Sequence, residues 1–149
     1  MKGTEVAEAL KEQFGDSVSD IGFPREDVIR VTVPRDSILQ FCRFLRDELH
    51  CEHLNLVSAV DWPENFECVY HITSYLEEYM VEVHVKIPKD DPKVDSLSEV
   101  WRAADFPERE AYDMMGITFE GHPDHRRILL PDDVDYYPLR KDFEGPADE

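Results

Sequence analysis

Hydrophobic residues recur along this 149-residue chain at two spacings, near four and two, and each predicts its own kind of element. Val6, Leu10 and Phe14 are spaced by four, with Thr4 placed as an N-cap before them and Gly15 as a stop after them, which predicts a first amphipathic helix. "VIRVTV" from Val28 alternates and is β-branched; a weaker extended stretch, "SVSDIGF", precedes it across Pro24-Arg25-Glu26-Asp27, so the two read as a hairpin. After Pro34, Asp36 is placed to cap a second helix whose stripe is Ile38, Phe41, Cys42, Leu45 and Leu49. "LNLVSAVDW" and "FECVYHITSY" read as strands about the turn Pro63-Glu64-Asn65. In the next run Tyr79, Val81, Val83, Val85 and Ile87 alternate with Met80, Glu82, His84 and Lys86, a strand with one core face and one wetter face. The order helix, two strands, helix, three strands, with short links, predicts an α+β fold: a two-layer sandwich in which a mostly antiparallel sheet is covered on one side by two helices.

The regular pattern breaks at "IPKDDPKVDS", which sets the expected division: a globular domain over 1–88, a connecting segment over 89–106, and a motif helix with an extended tail that binds another subunit over 107–149. Leu97, Val100 and Trp101 suit one helical turn; Pro107 opens a short helix, "PEREAYDMM", that Gly116 can terminate. Beyond Gly116 the proline, glycine and charge content is too high for a continuous helix or a central strand. Yet Ile117, Phe119, Ile128, Leu129, Leu130, Tyr136, Tyr137, Leu139 and Phe143 are scattered through it. A solvated tail lacks such residues, so the expectation is that a partner surface covers them.

A formal net charge of −18 sets nucleic acid and anionic lipid headgroups aside as partners, because either would bring like charges together. Cys42, Cys51 and Cys68 are odd in number and lack CxxC spacing, so buried free thiols in a reducing compartment are expected rather than disulfides or a metal cluster. The N-terminus "MKGTEVAEALKEQF" lacks the apolar run of a secretory signal, and no segment is long and apolar enough to cross a bilayer; membrane association is expected only through a partner.

The chemical candidates lie in "EREAYDMMGITFEGHPDHRRILL". His122 and His125 form H-x-x-H, but around Pro123 rather than on a helix, and Arg126 and Arg127 beside them oppose a divalent ion. Glu108, Glu110 and Asp113 supply carboxylates for acid–base chemistry, against which stands a structural role, since Arg109 and Asp113 are spaced as a helical ion pair. No nucleophile context and no phosphate-cradling glycine loop is present. Arg126, Arg127, Arg140 and Lys141 either neutralise Asp132, Asp133 and Asp142 or make bidentate bonds to another polypeptide; the interleaved apolar residues favour the second.

"EREAYDMMGITFEGHPDHRRILLPDD" followed by "PLRKDF" resembles the hallmark segment of the 30 kDa subunit family of respiratory complex I, a hydrophilic component of NADH:quinone oxidoreductase. Related polypeptides occur in reduced-deazaflavin dehydrogenases and membrane-bound hydrogenases. Glu108, Arg109, Glu110, Asp113, Gly116, Ile117, Phe119, Gly121, His122, Pro123, Arg126, Arg127, Ile128 and Leu129 stand where the motif places them, and "VWRAADFPERE" resembles its approach. Val134 and Tyr136 depart from it, where relatives usually have tryptophan and glycine.

The resemblance implies an accessory subunit without a cofactor of its own in a proton-translocating dehydrogenase, with Fe–S clusters, flavin and a quinone-type acceptor in partner subunits. It implies as partners the large quinone-site, hydrogenase-like subunit and the Fe–S subunits of the peripheral arm, at the cytoplasmic side of the membrane. Arg109, Glu110 and Asp113 are expected to fix the motif helix to body and partner, and Gly116 to allow the reversal that launches the tail. Arg126, Arg127, Arg140 and Lys141 are expected to pin the tail on the partner, with Ile128, Leu129, Leu130 and Leu139 excluding water. The alternatives are the equivalent subunit of a membrane-bound hydrogenase or formate hydrogenlyase and, of another class, an independent metal hydrolase using His122, His125 and Glu110.

Overall fold

The computed structural model describes residues 3–123 together with Tyr137 and Arg140. Helix α1 (Gly3–Phe14) leads into the hairpin β1 (Ser19–Arg25) and β2 (Val28–Thr32), then α2 (Ile38–Asp47) and the strands β3 (His53–Asp61), β4 (Phe66–Ser74) and β5 (Tyr79–Ile87). Short β6 (Lys93–Asp95), α3 (Asp105–Met115) and β7 (Thr118–Glu120) follow. The elements follow the expected order, with local differences at the helix starts. Thr4 lies inside the first turn of α1, which begins at Gly3. A 3-10 turn over Arg35–Ser37 displaces Asp36 from the cap of α2, where Ser37 sits without a side-chain cap bond.

Five strands form one sheet in the order β1-β2-β5-β4-β3. Three of its pairings are antiparallel; β2 and β5 are parallel, with Ile29 opposite Val81 and Val31 opposite Val83. This follows from α2. A helix crossing between β2 and β3 sets those two strands in the same direction, and two successive hairpins then bring β5 back beside β2 with matching polarity. The odd members of β5, Tyr79 to Ile87, join Cys68, Tyr70 and Ile72 of β4 and Ile29 and Val31 of β2 in the core, against Val6 and Leu10 of α1 and the predicted α2 stripe. The opposite face of the sheet carries the polar alternates, among them Glu67, His71, Glu82 and His84. There the His84 ring nitrogens face Glu82 Oε1 at 2.7 Å and Glu67 Oε2 at 3.3 Å.

The core does not stop at residue 88 or at residue 106, where the sequence pattern suggested boundaries. Val94, Leu97, Val100, Trp101, Ala104, Ala111 and Met115 belong to the same buried cluster. β6 and β7 pair in parallel, with Val94 opposite Phe119. Ile117 and Phe119 are fully buried in this chain, which corrects the expectation that a partner covers them. Two fastenings hold the connecting segment down. The Arg35 guanidinium donates to the carbonyls of Asp91 (2.7 Å) and Lys93 (3.0 Å) and pairs with the Asp91 carboxylate (3.0 Å). The Trp101 indole donates to Cys51 O at 3.0 Å. Cys42, Cys51 and Cys68 are buried free thiols. Burial pushes the Cys51 thiol up to about 11 and that of Cys68 to about 12, which keeps them protonated and unreactive.

Candidate functional site

The motif helix α3 is bound to the body by groups from both of its ends. Pro107 lies in its first turn and Gly116 ends it with φ of +77°, as the sequence pattern predicts. Ala111 and Met115 pack inward among the core apolar residues. On that inner side lies Glu108, wholly buried, whose carboxylate accepts hydrogen bonds from the Leu97 N–H (2.7 Å, to Oε2) and the Ser96 hydroxyl (2.6 Å, to Oε1). Burial is the largest influence on this carboxyl and raises it to about 7; the two donated bonds oppose that rise, and nearby Asp105 adds to it. The first glutamate of the E-R-E motif is therefore an internal fastener, joining the loop before the helix to the helix itself.

His122 performs a similar service from the other direction. Its ring is enclosed, with Nε2 at 2.9 Å from Asp105 Oδ1 and 3.2 Å from the Asp105 carbonyl, while Glu108 Oε1 lies 4.0 Å away. The chain leaving β7 is thereby held against the first turn of α3. Among the described residues no cluster of three or more metal-ligating side chains forms, and His125, the other histidine of the H-x-x-H, lies outside them.

The three acidic candidates of the helix diverge. Glu108 faces the core, Asp113 is buried on a different side of the helix, and Glu110 is exposed. They do not form a carboxylate pair around one cavity. Arg109 lies over the Phe106 ring, 5.6 Å from its centroid, one turn back on the helix surface. Gly121 and Pro123 are exposed in the turn after β7.

Arg140 differs most from expectation. Instead of reaching outward, its Nε donates to the Met115 carbonyl at 2.7 Å, one of the orphan acceptors at the C-terminus of α3. Its guanidinium stacks over Tyr137 (4.7 Å) and Phe66 (5.1 Å). A cation at that helix end is also favoured by the helix dipole. Arg140 thus binds this chain's own motif helix. Arg126, Arg127, Ile128, Leu129, Leu130, Leu139 and Lys141, and the departures Val134 and Tyr136, lie outside the described residues.

This arrangement, a sheet covered on one side by helices with an E-R-E helix fastened beneath its edge, defines the class, and comparison with known proteins agrees. The family model described as respiratory-chain NADH dehydrogenase, 30 Kd subunit, matches residues 31–149, and the chain belongs to that family. It is 36% identical over 148 residues to a subunit of the F(420)H(2) dehydrogenase of Methanosarcina mazei, covering 97% of this chain and 94% of that one. It is 39% identical over 146 residues to a subunit of the NADH-quinone oxidoreductase of Geobacter sulfurreducens, covering 94% and 90% respectively. Among solved structures, a chain in the membrane-bound sulfane sulfur reductase, an archaeal respiratory membrane complex, superimposes with a TM-score of 0.82 at 27% identity, over 95% of this chain and 85% of that one.

Proposed function

We propose that this chain is a cofactor-free positioning subunit of a complex I-like, proton-translocating oxidoreductase. It braces the large quinone-site subunit within the peripheral arm, on the cytoplasmic side of the membrane, while electrons pass through Fe–S clusters and flavin held by partner subunits. The observation that carries this reading is the internal fastening of α3. Glu108, His122 and Arg140 each bind groups of this chain, so the motif helix is a rigid mount rather than a set of side chains converging on a substrate. Family membership and the respiratory complexes named for its relatives support the same reading. Among the described residues no helix is long and apolar enough to cross a membrane, so attachment through partners is the arrangement proposed. The likeness to subunits of an F(420)H(2) dehydrogenase and of a sulfane sulfur reductase supports a mounting role independent of the particular donor and acceptor.

The test uses the assembled complex. In this proposal Arg126 and Arg127 make charge-assisted bonds to the large subunit, and removing a buried partner of that kind costs about 2–5 kcal/mol. Arg126→Ala with Arg127→Ala is expected to reduce co-purification of the chain with the large subunit by more than about tenfold, while the isolated chain melts unchanged and no redox centre is lost from it. An intact, fully active assembly carrying both substitutions would refute the role. The metal-hydrolase alternative predicts stoichiometric metal in the isolated protein by elemental analysis.

A further inference from the structure

We infer that the outer edge of β3, together with the groove between it and α3, is a strand-acceptor site that takes an extended, basic segment of another polypeptide in the assembly. The two edges of the sheet differ in kind. β1 is blunted in the ways edge strands usually are: Pro24 lies in it, two register shifts interrupt its pairing with β2, and Asp20 and Arg25 carry charge. β3 has a single register shift, between Leu54 and Leu56, and none of these defences from Leu56 to Val60. Leu54 to Val60 is seven residues without charge or proline, in register with β4 from Leu56 to Asp61. Among the described residues the backbone partners of Leu54–Val60 lie on β4 alone, so alternate N–H and C=O groups on the other side face outward unpaired.

Beside this edge runs a groove of about 230 Å³, lined by Leu56, Ala59, Pro107, Glu110, Met114 and Met115. Its floor is apolar and rich in methionine, which adapts its shape to an incoming side chain. Leu56 is 47% exposed on the outer sheet face, where its register partner is His71. A strand laid along β3 would satisfy the backbone row, place alternate side chains in the groove and cover Leu56. The groove also continues the site already described, because Met115 lines it and is the residue whose carbonyl Arg140 binds.

Charge selects the occupant. Glu110 lines the groove, and Glu52 and Glu64 flank the ends of β3, all three exposed. A second copy would bring another net −18 to the same edge. A heterologous segment with Lys or Arg beside its apolar residues fits instead. This inference rests on the chain working within a multisubunit assembly, and adds to it a second contact separate from the arginine tail.

Hydrogen exchange on the native assembly and on the isolated full-length chain tests it. Alternate amides within Leu54–Val60 are expected to exchange quickly in the isolated chain and on the order of a hundredfold more slowly in the assembly. The variant Leu56→Lys with Ser58→Lys puts two cations on the outer face of the edge. It is expected to keep the melting temperature of the isolated chain and to lose that protection in the assembly. Three results would overturn the inference: equal exchange of the edge amides in wild-type assembly and isolated chain, concentration-dependent protection in the isolated chain (a second copy on the edge), or full protection in the lysine variant. Failure of the positioning role itself reads differently, as a chain that does not co-purify with partner subunits at all.

Discussion

Glu108→Gln is expected to flatten the pH dependence of stability between about pH 4.5 and 7. The folded protein holds this carboxyl at about 7, raised from an ordinary 4.5 chiefly by burial. An acid whose folded value is raised binds its proton more tightly when folded. Its contribution is therefore complete below about 4.5 and is lost as the pH climbs through about 7. A difference of that size is worth about 3 kcal/mol across the window. Glutamine does not titrate but has the same shape. Its carbonyl can accept from the Leu97 N–H, and its amide can donate to Ser96 Oγ, which lies 2.9 Å from Ser98 Oγ and can turn its own hydrogen there. Urea unfolding of wild type and variant at intervals from pH 4.5 to 8 gives the difference directly, because titrations of other groups cancel between the two. An unchanged difference across that range would show that Glu108 does not carry the effect. Glu108→Ala is the contrasting case: it leaves the buried Leu97 N–H without its acceptor and is expected to cost about 2–4 kcal/mol at acid pH as well.

Why the sequence did not show this is physical. Charges in "FPERE" look like surface charges when only their helical spacing is considered, since i and i+4 neighbours on a solvated face pair cheaply. What buries Glu108 is the loop at Ser96 and Leu97, and that contact is tertiary. The local signal available was Ser96-x-Ser98, hydroxyls followed by the Leu97-Val100-Trp101 turn, and it is weak. By contrast, β5 and the α2 stripe from Ile38 to Leu45 are legible, because a period of two or of three and four is imposed by an apolar face and needs no knowledge of the rest of the chain; Leu49, the last member of the expected stripe, is buried beyond the helix end at Asp47. The parallel pairing of β2 with β5 lies between these cases: the strands could be read singly, but their neighbours depend on where α2 crosses. Ile117 and Phe119 escape the sequence pattern for the same reason. A three-residue parallel pair between β6 and β7, bounded by Pro92 and Gly121, has too short a pattern to register, so buried residues looked like a sticky tail.

Gly116→Ala is expected to destabilise the chain by about 2–3 kcal/mol, and most of the excess over backbone strain is expected to vanish when Arg140 is also replaced by alanine. Two separate causes act at this position. With φ at +77° a side chain is disfavoured by about 1 kcal/mol whatever surrounds it. A Cβ there would also lie 2.5 Å from Arg140 Nη2 and 2.9 Å from two Tyr137 ring carbons. The guanidinium cannot simply swing aside, because its Nε is bonded to Met115 O and its plane is stacked on Phe66 and Tyr137. Alanine at 116 therefore has to break the fastening or push the Tyr137 ring away. In an Arg140→Ala background the bond and the 2.5 Å approach of the guanidinium are already gone and only the Tyr137 ring has to yield, so Gly116→Ala should then cost about 1 kcal/mol, chiefly the backbone share. The two substitutions should be coupled by about 1–2 kcal/mol, as expected for residues in direct contact. Chemical denaturation of the two single variants and the double variant supplies the cycle. Simple additivity would mean that Arg140 does not rest on the Met-Met-Gly bend in solution. In that case the arginine would be a candidate for partner contact, and the motif helix would have one internal fastening fewer at its C-terminal end.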